Sequence, residues 1–334
     1  MSALVEVHEL AKTFNVSAPW LNRVVERKPR QFVHAVDGVS FAIQRGKTLA
    51  LVGESGCGKS TVARLLVGLY APTQGRVSFD GIDTAAGFRS SQAQTLRKRM
   101  QMIFQDPYAS LNPRWKVADI VGEPLKEHGL VGQSGDTKRE LKARVAELLQ
   151  SVGLAAADVE KFPHQFSGGQ RQRISIARAL ATSPEFLVCD EPTSALDVSV
   201  QAQVLNIMKD LQRKQGLTYL FISHNLAVVR HVSDQVGVMY LGRLVELADK
   251  ADLFARPRHP YTRMLLDAIP DIHMSGRART PVQGEVPNPL NPPTGCSFHP
   301  RCPHANERCK QERPPLKRFG GALIACHAVE EGRI

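Results

Sequence analysis

Alternating apolar and polar positions at the start of the chain predict strands. The segment "LVEVHELAKTF" from Leu4 alternates, as half-exposed strands do, and the segment "HAVDGVSFAI" from His34 predicts a second strand. The next segment, "TLALV" (48–52), is almost wholly apolar, which is typical of a strand covered on both faces. A helix follows in "STVARLLVGLY" and ends before Pro72, and "GRVSFDG" predicts another strand. This order of strands and helices indicates an α/β fold.

The rest of the chain continues this alternation with one interruption. Residues 107–180 have a mostly helical pattern and predict a helical insertion. After them, "PEFLVCDEP" predicts a short buried strand, "VSVQAQVLNIMKDLQRKQG" a helix, "LTYLFISH" a strand, "NLAVVRHVS" a helix and "DQVGVMYLGRLVELA" a hairpin. Residues 15–31 predict an irregular basic loop. A change of composition, with many prolines after it, places a domain boundary near residue 255.

Composition and charge narrow the class of protein. The 334 residues contain no apolar run near the roughly 20 residues of a membrane helix, and the N-terminus lacks the pattern of a secretory signal. We therefore expect the protein in the cytoplasm. The formal net charge of +11 favours nucleotide, nucleic acid or an anionic membrane as partner, or it is simply a solvated basic surface. Because the basic residues are spread along the chain, charge alone does not indicate nucleic-acid binding.

The segment "GESGCGKST" (53–61) has the pattern of a phosphate-binding loop between a buried strand and a helix. Glycines let successive backbone N–H groups turn towards phosphates, and the helix N-terminus adds a positive dipole end. Lys59 is expected to reach the β- and γ-phosphates, Ser60 to ligate Mg²⁺ and Thr61 to hold the α-phosphate. The other predicted phosphate contacts are Gly53, Ser55, Gly56, Cys57 and Gly58.

Two acids end the strand "FLVCDEP" (186–192). Asp190 is expected to hold the Mg²⁺ shell, usually through water. Glu191 points to the opposite side of the strand axis, which suits a general base that orients the attacking water. The simpler interpretation, two acids that cap a strand end, is weakened by the phosphate-binding loop upstream.

Further motifs resemble the ATPases of ABC transporters. "FSGGQRQR" (166–173) is similar to their signature motif, Gln105 in "MIFQDP" to the Q-loop, "SALD" (194–197) to the D-loop, and His224 in "FISHN" to the switch histidine. The resemblance covers about residues 4–250. It implies a P-loop NTPase ABC cassette at 1–255, with a RecA-like mixed sheet core, an antiparallel β subdomain and a helical subdomain at about 107–180.

The resemblance also implies roles for residues. Two cassettes would pack head to tail, so that Ser167, Gly168, Gly169 and Gln170 of one close on the γ-phosphate held by the other, with Asp197 near the same nucleotide. Gln105 would contact Mg²⁺ or the water, and His224 would contact the γ-phosphate and Glu191. The adenine ring would stack on Phe14, with Phe32 and His34 as alternatives. Asn225 stands where many members have Asp, a departure that leaves the expected catalytic residues in place.

The segments after residue 255 indicate which class of ABC ATPase this chain resembles. "RPRHPYTRMLLDAIP" (256–270) and "GEVPNPLNPPTGCSFHPRCPHANERC" (284–309) resemble the C-terminal region of peptide-importer ATPases. Three further segments are similar to their F-type subunits: "SLNPR" (110–114), "FSGGQRQRISIARAL" (166–180) and "ALDVSVQAQVLN" (195–206). This implies an ATPase for dipeptide or oligopeptide uptake at the cytoplasmic face of the bacterial inner membrane. Glutathione, peptide antibiotics and nickel are alternative cargoes. An exporter, or a soluble cassette of repair or translation, fits less well.

The implied partners are a D-type ATPase subunit, two transmembrane permeases and an extracytoplasmic peptide-binding protein, with no nucleic acid. The segment near 105–130 would hold a short permease helix. Because it follows Gln105 directly, nucleotide state could pass to the permease there.

Cys296, Cys302, Cys309 and Cys326 lie within the last part of the chain. Disulfides are rare in the cytoplasm, so four thiolates suit Zn²⁺ or an iron–sulfur cluster. The family resemblance implies a [4Fe–4S] cluster. Zinc, with His299, His304 or His327 as substitute ligands, and four unligated cysteines stay open as alternatives. We expect a structural role, because the tail contains few apolar residues and would need a covalent clamp.

Overall fold

The computed structural model describes residues 3–25, 29–132, 136–268 and 284–334. Its strands, in chain order, are β1 Ala3–Asn15, β2 Phe32–Gln44, β3 Thr48–Val52, β4 Gln74–Phe79, β5 Ile82–Asp83, β6 Met100–Ile103, β7 Phe186–Asp190, β8 Thr218–Ile222, β9 Gln235–Tyr240, β10 Arg243–Asp249, β11 Lys317–Phe319 and β12 Ala322–Ile324. The strands predicted from the alternating and apolar segments are therefore present.

The helices fill the intervals between these strands. They are α1 Trp20–Val25, α2 Lys59–Leu66, α3 Thr84–Gly87, α4 Ala93–Arg99, α5 Pro107–Ser110, α6 Val117–Glu127, α7 Thr137–Ser151, α8 Gly168–Leu180, α9 Val198–Gln215, α10 Leu226–Val232, α11 Lys250–Ala255, α12 Pro260–Asp267, α13 Glu307–Gln311 and α14 His327–Glu330. Across the described ranges, no helix combines the length and apolarity needed to span a membrane.

The chain divides into two compact units. The first consists of residues 1–4, 43–48 and 79–223. Within it, β6, β7 and β8 pair in parallel, and every residue of β7 and β8 is buried. This explains why both strands read as continuous apolar runs. Helices α5 to α8 follow β6, where the helical insertion is predicted.

The second unit consists of residues 5–42, 49–78 and 224–334. In it, β3 pairs with β9 in parallel, and β9 pairs with β10 in an antiparallel hairpin. Strand β1 lies between β2 and β4 in a separate sheet. Residues on both sides of position 255 belong to this one unit, so the division into units does not mark the predicted domain boundary there. The boundary stays a prediction.

The tail is built into the second unit by strand pairing, which the sequence did not reveal. Strand β12 pairs with β10, and β11 pairs with β12, both antiparallel. Phe298, Ile324 and Ala328 are buried in the same apolar cluster as Val236 and Val238 of β9. Backbone hydrogen bonds and a small number of well-buried apolar side chains therefore hold the tail in place. The expectation that the tail needs a covalent clamp stays a prediction.

Helix α12 begins at a buried histidine. The Nδ1 atom of His259 accepts a hydrogen bond from the backbone N–H of Tyr261 at 3.0 Å, and the side chain is almost wholly buried. The backbone N–H of His259 donates to the buried carboxylate of Glu246 at 3.0 Å. Burial lowers the pKa of His259 to about 3, so the ring is neutral in the folded protein. Burial also raises the pKa of Glu246.

Close packing of α8 against α9 depends on the absence of a side chain at Gly169. A Cβ atom built there would lie 2.2 Å from Cγ1 of Val200, far inside van der Waals contact. Val200 is β-branched, so its methyl group cannot swing away without leaving its preferred helical rotamer. Glycine is thus required by packing, whatever its role in nucleotide binding.

We predict that Gly169→Ala destabilises the protein when Val200 is present and stabilises it when Val200 is replaced by alanine. The clash should cost about 1–3 kcal/mol. With the methyl group removed, the higher helix propensity of alanine should contribute about 1 kcal/mol. Chemical denaturation of the two single variants and the double variant measures both effects. A destabilising effect of equal size in both backgrounds would contradict the packing argument.

We predict that acidification destabilises the protein through His259. Its pKa is lowered by folding, so the unfolded chain binds the proton more readily, and stability is lost as pH falls from the unfolded pKa towards the folded one. Between pH 7 and pH 5 the loss should be about 2 kcal/mol. Glu246 has a raised pKa and acts in the opposite direction.

The His259→Asn variant isolates this contribution, because asparagine can still cap α12 but does not titrate. The difference between the unfolding free energies of wild type and variant, measured at each pH, should shrink on acidification. A difference independent of pH would show that His259 is not the titrating group.

Candidate nucleotide site

The phosphate-binding loop follows a strand whose residues are all buried, and it ends at the start of α2. Two of its glycines are required by geometry. A Cβ atom at Gly53 would lie 2.2 Å from the carbonyl oxygen of Met239, and one at Gly58 would lie 2.2 Å from that of Ala35. Gly58 also has φ of 105°, a conformation that other residues rarely adopt. Ser55 and Gly56 are exposed between them, where a ligand can reach the backbone.

Lys59 is folded back onto the loop. Its ammonium group donates to the carbonyl of Gly53 at 2.8 Å and to that of Glu54 at 3.0 Å, and it lies 3.7 Å from the Cys57 sulfur. The residue is buried, so its charge is held at the loop by these carbonyls. A triphosphate would offer it stronger, charged acceptors. Ser60 and Thr61, in the first turn of α2, are partly exposed.

Glu54 joins the loop to the C-terminal region, a connection that the motif does not reveal. Its backbone N–H donates to the Tyr261 hydroxyl at 2.9 Å. Its carboxylate accepts two hydrogen bonds from the Arg301 guanidinium, at 2.8 and 3.0 Å. Nothing in the spacing of the loop and the tail indicates this contact.

The predicted adenine platform lies in a small aromatic cluster. Phe14 meets the ring of Tyr70 edge to face, with centroids 5.5 Å apart, and the Lys12 ammonium lies 5.3 Å from the Phe14 centroid. His34 is hydrogen-bonded to the Thr13 hydroxyl at 3.2 Å. Phe32 is exposed. The choice of Phe14 over Phe32 and His34 stays a prediction.

The first unit holds the two acids. Asp190 is the last residue of β7 and is buried. Glu191 is partly exposed and has φ of 47°, which costs a non-glycine residue of order 1–3 kcal/mol. Gln105 donates from Nε2 to the Glu191 carboxylate at 3.1 Å. The residues assigned to the Q-loop and to the general base thus touch each other directly.

The signature segment forms a capped helix start. The Ser167 hydroxyl accepts from the backbone N–H of Gln170, and the Gln170 side chain accepts from the backbone N–H of Ser167 at 3.0 Å. This reciprocal capping leaves the N–H groups of Gly168 and Gly169 at the helix N-terminus, where the dipole favours an anion. The Arg171 guanidinium stacks 4.2 Å from the ring centroid of Tyr108, a residue of the segment that follows Gln105.

Two other predicted residues cap helices. The Asp197 carboxylate accepts from the backbone N–H of Val200 at 3.2 Å and caps α9. Gln201 stabilises the same turn by donating to the carbonyls of Thr193 and Leu196. No motif in the sequence indicated this role for Gln201. In the second unit, His224 is exposed and precedes Asn225, whose side chain caps α10. Asn225 therefore performs a cap that aspartate could perform equally well.

The four tail cysteines share one neighbourhood, without the arrangement of a metal site. Burial raises the pKa of Cys296 to about 12, and the charges of Cys309, Cys326 and Cys302 add to this rise. All four are free thiols, with Cys309 and Cys326 buried. Among the described residues, no group of three or more His, Cys, Asp or Glu side chains is placed to hold a metal ion. The predicted [4Fe–4S] cluster and its zinc alternative are therefore not supported by this arrangement.

Comparisons with known proteins give a consistent result. The chain matches the ABC transporter family over residues 36–194 and the oligopeptide/dipeptide transporter C-terminal region over residues 245–309. It is 48% identical over 328 residues to the oligopeptide transport ATP-binding protein AppF of Bacillus subtilis, covering 97% of each chain. It is 50% identical over 305 residues to the dipeptide transport ATP-binding protein DppF of Escherichia coli, covering 91% of this chain and 89% of that one.

Solved structures agree on the fold. An ATP-binding cassette, solved as a dimer in a post-hydrolysis state with ADP and Pi, matches with a TM-score of 0.63 and 27% identity, over 74% of this chain and 98% of that chain. A cbiO1 protein of Clostridium perfringens, part of an ABC transporter complex, matches with a TM-score of 0.62 and 27% identity, over 77% and 92% of the chains. The predicted ABC cassette fold is confirmed. The chain belongs to the ABC transporter ATP-binding proteins, and it carries the C-terminal region of their oligopeptide/dipeptide transporter branch.

Proposed function

We propose that this protein binds and hydrolyses ATP to power an importer of dipeptides or oligopeptides. One observation carries the proposal: relatives about half identical over nearly the whole chain are named as peptide transport ATP-binding proteins, and the similarity extends through the C-terminal region. The intact set of Lys59, Asp190, Glu191 and His224 supports an active rather than a degenerate ATPase.

Within the proposed ATPase, Lys59 would neutralise the β- and γ-phosphates, while Ser60, Gln105 and Asp190 would hold Mg²⁺, directly or through water. Glu191 orients the attacking water, and His224 contacts the γ-phosphate. The bond between Gln105 and Glu191 supports this assignment, because it lets the Q-loop control the orientation of the base. Mg²⁺, when bound, supplies charge neutralisation at the phosphates.

The signature helix would complete the site of a second cassette. Its N-terminus at Ser167–Gln170 is a second anion site, in addition to residues 53–61. One chain would therefore contribute one half to each of two nucleotide sites. Head-to-tail pairing with a D-type ATPase subunit would place each half against its complement. ATP would then stabilise the closed dimer, and hydrolysis would release it.

Two permease subunits and an extracytoplasmic peptide-binding protein complete the proposed machine, with this chain at the cytoplasmic face of the inner membrane. A groove of about 270 Å³ in the first unit is lined by Trp115, Asp119, Glu123, Lys126 and Glu127. Its exposed tryptophan and excess of acidic groups suit a short permease helix with basic and apolar side chains. Glutathione, peptide antibiotics and nickel stay as alternative cargoes, since the cargo would pass through the partners.

Reconstitution with the permeases and the binding protein tests the function. Uptake of labelled dipeptides and tripeptides into proteoliposomes should require ATP and this subunit. ATPase activity that responds to nickel or glutathione, with no response to peptides, would overturn the proposed cargo while leaving the ATPase intact.

The metal content of the tail stays a separate prediction. Absorbance at about 400 nm in anaerobically purified protein would indicate an iron–sulfur cluster. A colourless protein with stoichiometric zinc would indicate the alternative ion, and a metal-free protein would leave four free thiols.

We predict that Glu191→Gln in the assembled transporter binds ATP as tightly as wild type but hydrolyses it at a rate close to zero. Glutamine keeps the shape of the side chain and loses the base. ATP binding and single-turnover hydrolysis measure the two properties separately. Glu147→Gln, the same change at an exposed glutamate of α7 that pairs with Arg144 on the surface of that helix, is the matched control. Normal turnover in Glu191→Gln would refute the assignment of the base.

A further inference from the structure

The polar groups of Glu54 all have partners, and two of the three come from the C-terminal region. The backbone N–H donates to the Tyr261 hydroxyl, the carbonyl accepts from the Lys59 ammonium at 3.0 Å, and the carboxylate accepts from Arg301. Glu54 is the second residue of the phosphate-binding loop. The loop is thus fastened to residues more than 200 positions further along the chain.

Arg301 is held rigidly for this contact. Its side chain is only 2% exposed, compared with 24% for Glu54, so the guanidinium has left water. It binds the carboxylate through two nitrogens, and it lies near the ring faces of Tyr240 and Phe298, with centroids 5.8 and 5.9 Å away. Bidentate geometry and burial make such a pair well oriented. An arginine side chain stays protonated at physiological pH, so its charge is permanent.

The aromatic side chains around the Arg301–Glu54 pair come from the central strand β9 and from the C-terminal region. Tyr240 ends β9, Tyr261 lies in α12 and Phe298 lies in the tail, and their ring centroids are 4.7 to 5.4 Å apart. All three are almost wholly buried. Their packing fixes the distance between the tail and the loop, so that Arg301 meets Glu54 without having to move.

The charge of Glu54 gives this contact a consequence for nucleotide binding. A carboxylate on a phosphate-binding loop repels a triphosphate, and ATP carries several negative charges. Arg301 neutralises that carboxylate. We propose that Arg301 is a positioning residue for ATP: from the C-terminal region it cancels the charge of Glu54 and fixes the loop in its phosphate-binding form. This rests on the assignment of Gly53–Thr61 as the phosphate-binding loop.

The test is a double-mutant cycle on the full-length chain. We use Arg301→Met, Glu54→Gln and the double variant, and we titrate each with ATP in EDTA so that no hydrolysis occurs. Arg301→Met should weaken ATP binding about tenfold, because it leaves the negative charge of Glu54 uncompensated beside the phosphates. Adding Glu54→Gln should restore affinity to within about threefold of wild type, because the repulsion is then gone.

A merely structural role predicts a different pattern. If Arg301 only stabilises the tail, Glu54→Gln cannot rescue Arg301→Met, and the double variant stays as weak as the single one. Arg308→Met is the matched control, since Arg308 binds Glu312 and Glu331, which both lie within the tail. Its ATP affinity should equal that of wild type. Thermal unfolding of every variant identifies any that fails to fold.

Kinetics in the assembled transporter provide a second measurement. Arg301→Met should raise the KM for ATP about tenfold and change kcat by less than about threefold, because the residue acts on binding rather than on the chemical step. A fall in kcat at unchanged KM, or unchanged ATP affinity in Arg301→Met, would overturn the proposal.

Lys59→Ala separates failure of the inference from failure of the loop assignment. If Lys59→Ala abolishes ATP binding while Arg301→Met has no effect, the loop is correctly assigned and only the role of Arg301 is wrong. If Lys59→Ala binds ATP like wild type, the loop assignment itself fails.

Discussion

The close approach of the phosphate-binding loop to neighbouring backbone is the constraint on which the second unit depends. Gly53 passes beside the carbonyl of Met239, and Gly58 passes beside that of Ala35, with no space for a Cβ atom at either position. The backbone N–H of Gly242 also donates to the carbonyl of Cys57 at 2.9 Å. Fixing the loop at both ends leaves Ser55 and Gly56 exposed between them. Burial of strand β3 supplies the anchor, since its residues cannot move without disturbing the core.

The features that could be predicted from the sequence are those set by interactions between residues close together in the chain. The apolar runs at residues 49–52 and 186–189 predicted buried strands, and both lie in parallel strands with every residue buried. Ser167 followed by two glycines has the pattern of a helix N-terminus, and the capping pair of Ser167 and Gln170 is present. These features depend on neighbours a few residues away, so the sequence contains them directly.

Long-range contacts explain what the sequence did not reveal. The bond between Arg301 and Glu54 joins two segments that carry no common pattern, and the pairing of β12 with β10 involves only a few residues. The tail has a modest apolar content, which suggested dependence on its cysteines. In the folded protein, those few apolar side chains pack on a core that the rest of the unit supplies. A segment's own composition is a poor guide when the segment buries its residues against another surface.

The strands of the tail also change which strand edge the sheet exposes to other protein molecules. Strand β12 occupies the edge of β10, a longer strand that would otherwise present unpaired N–H and C=O groups. The new edge, β11, is three residues long and carries the exposed basic side chains of Lys317 and Arg318. Short, charged edge strands discourage pairing with other chains. The tail thereby replaces an edge prone to aggregation with one that repels its own copies.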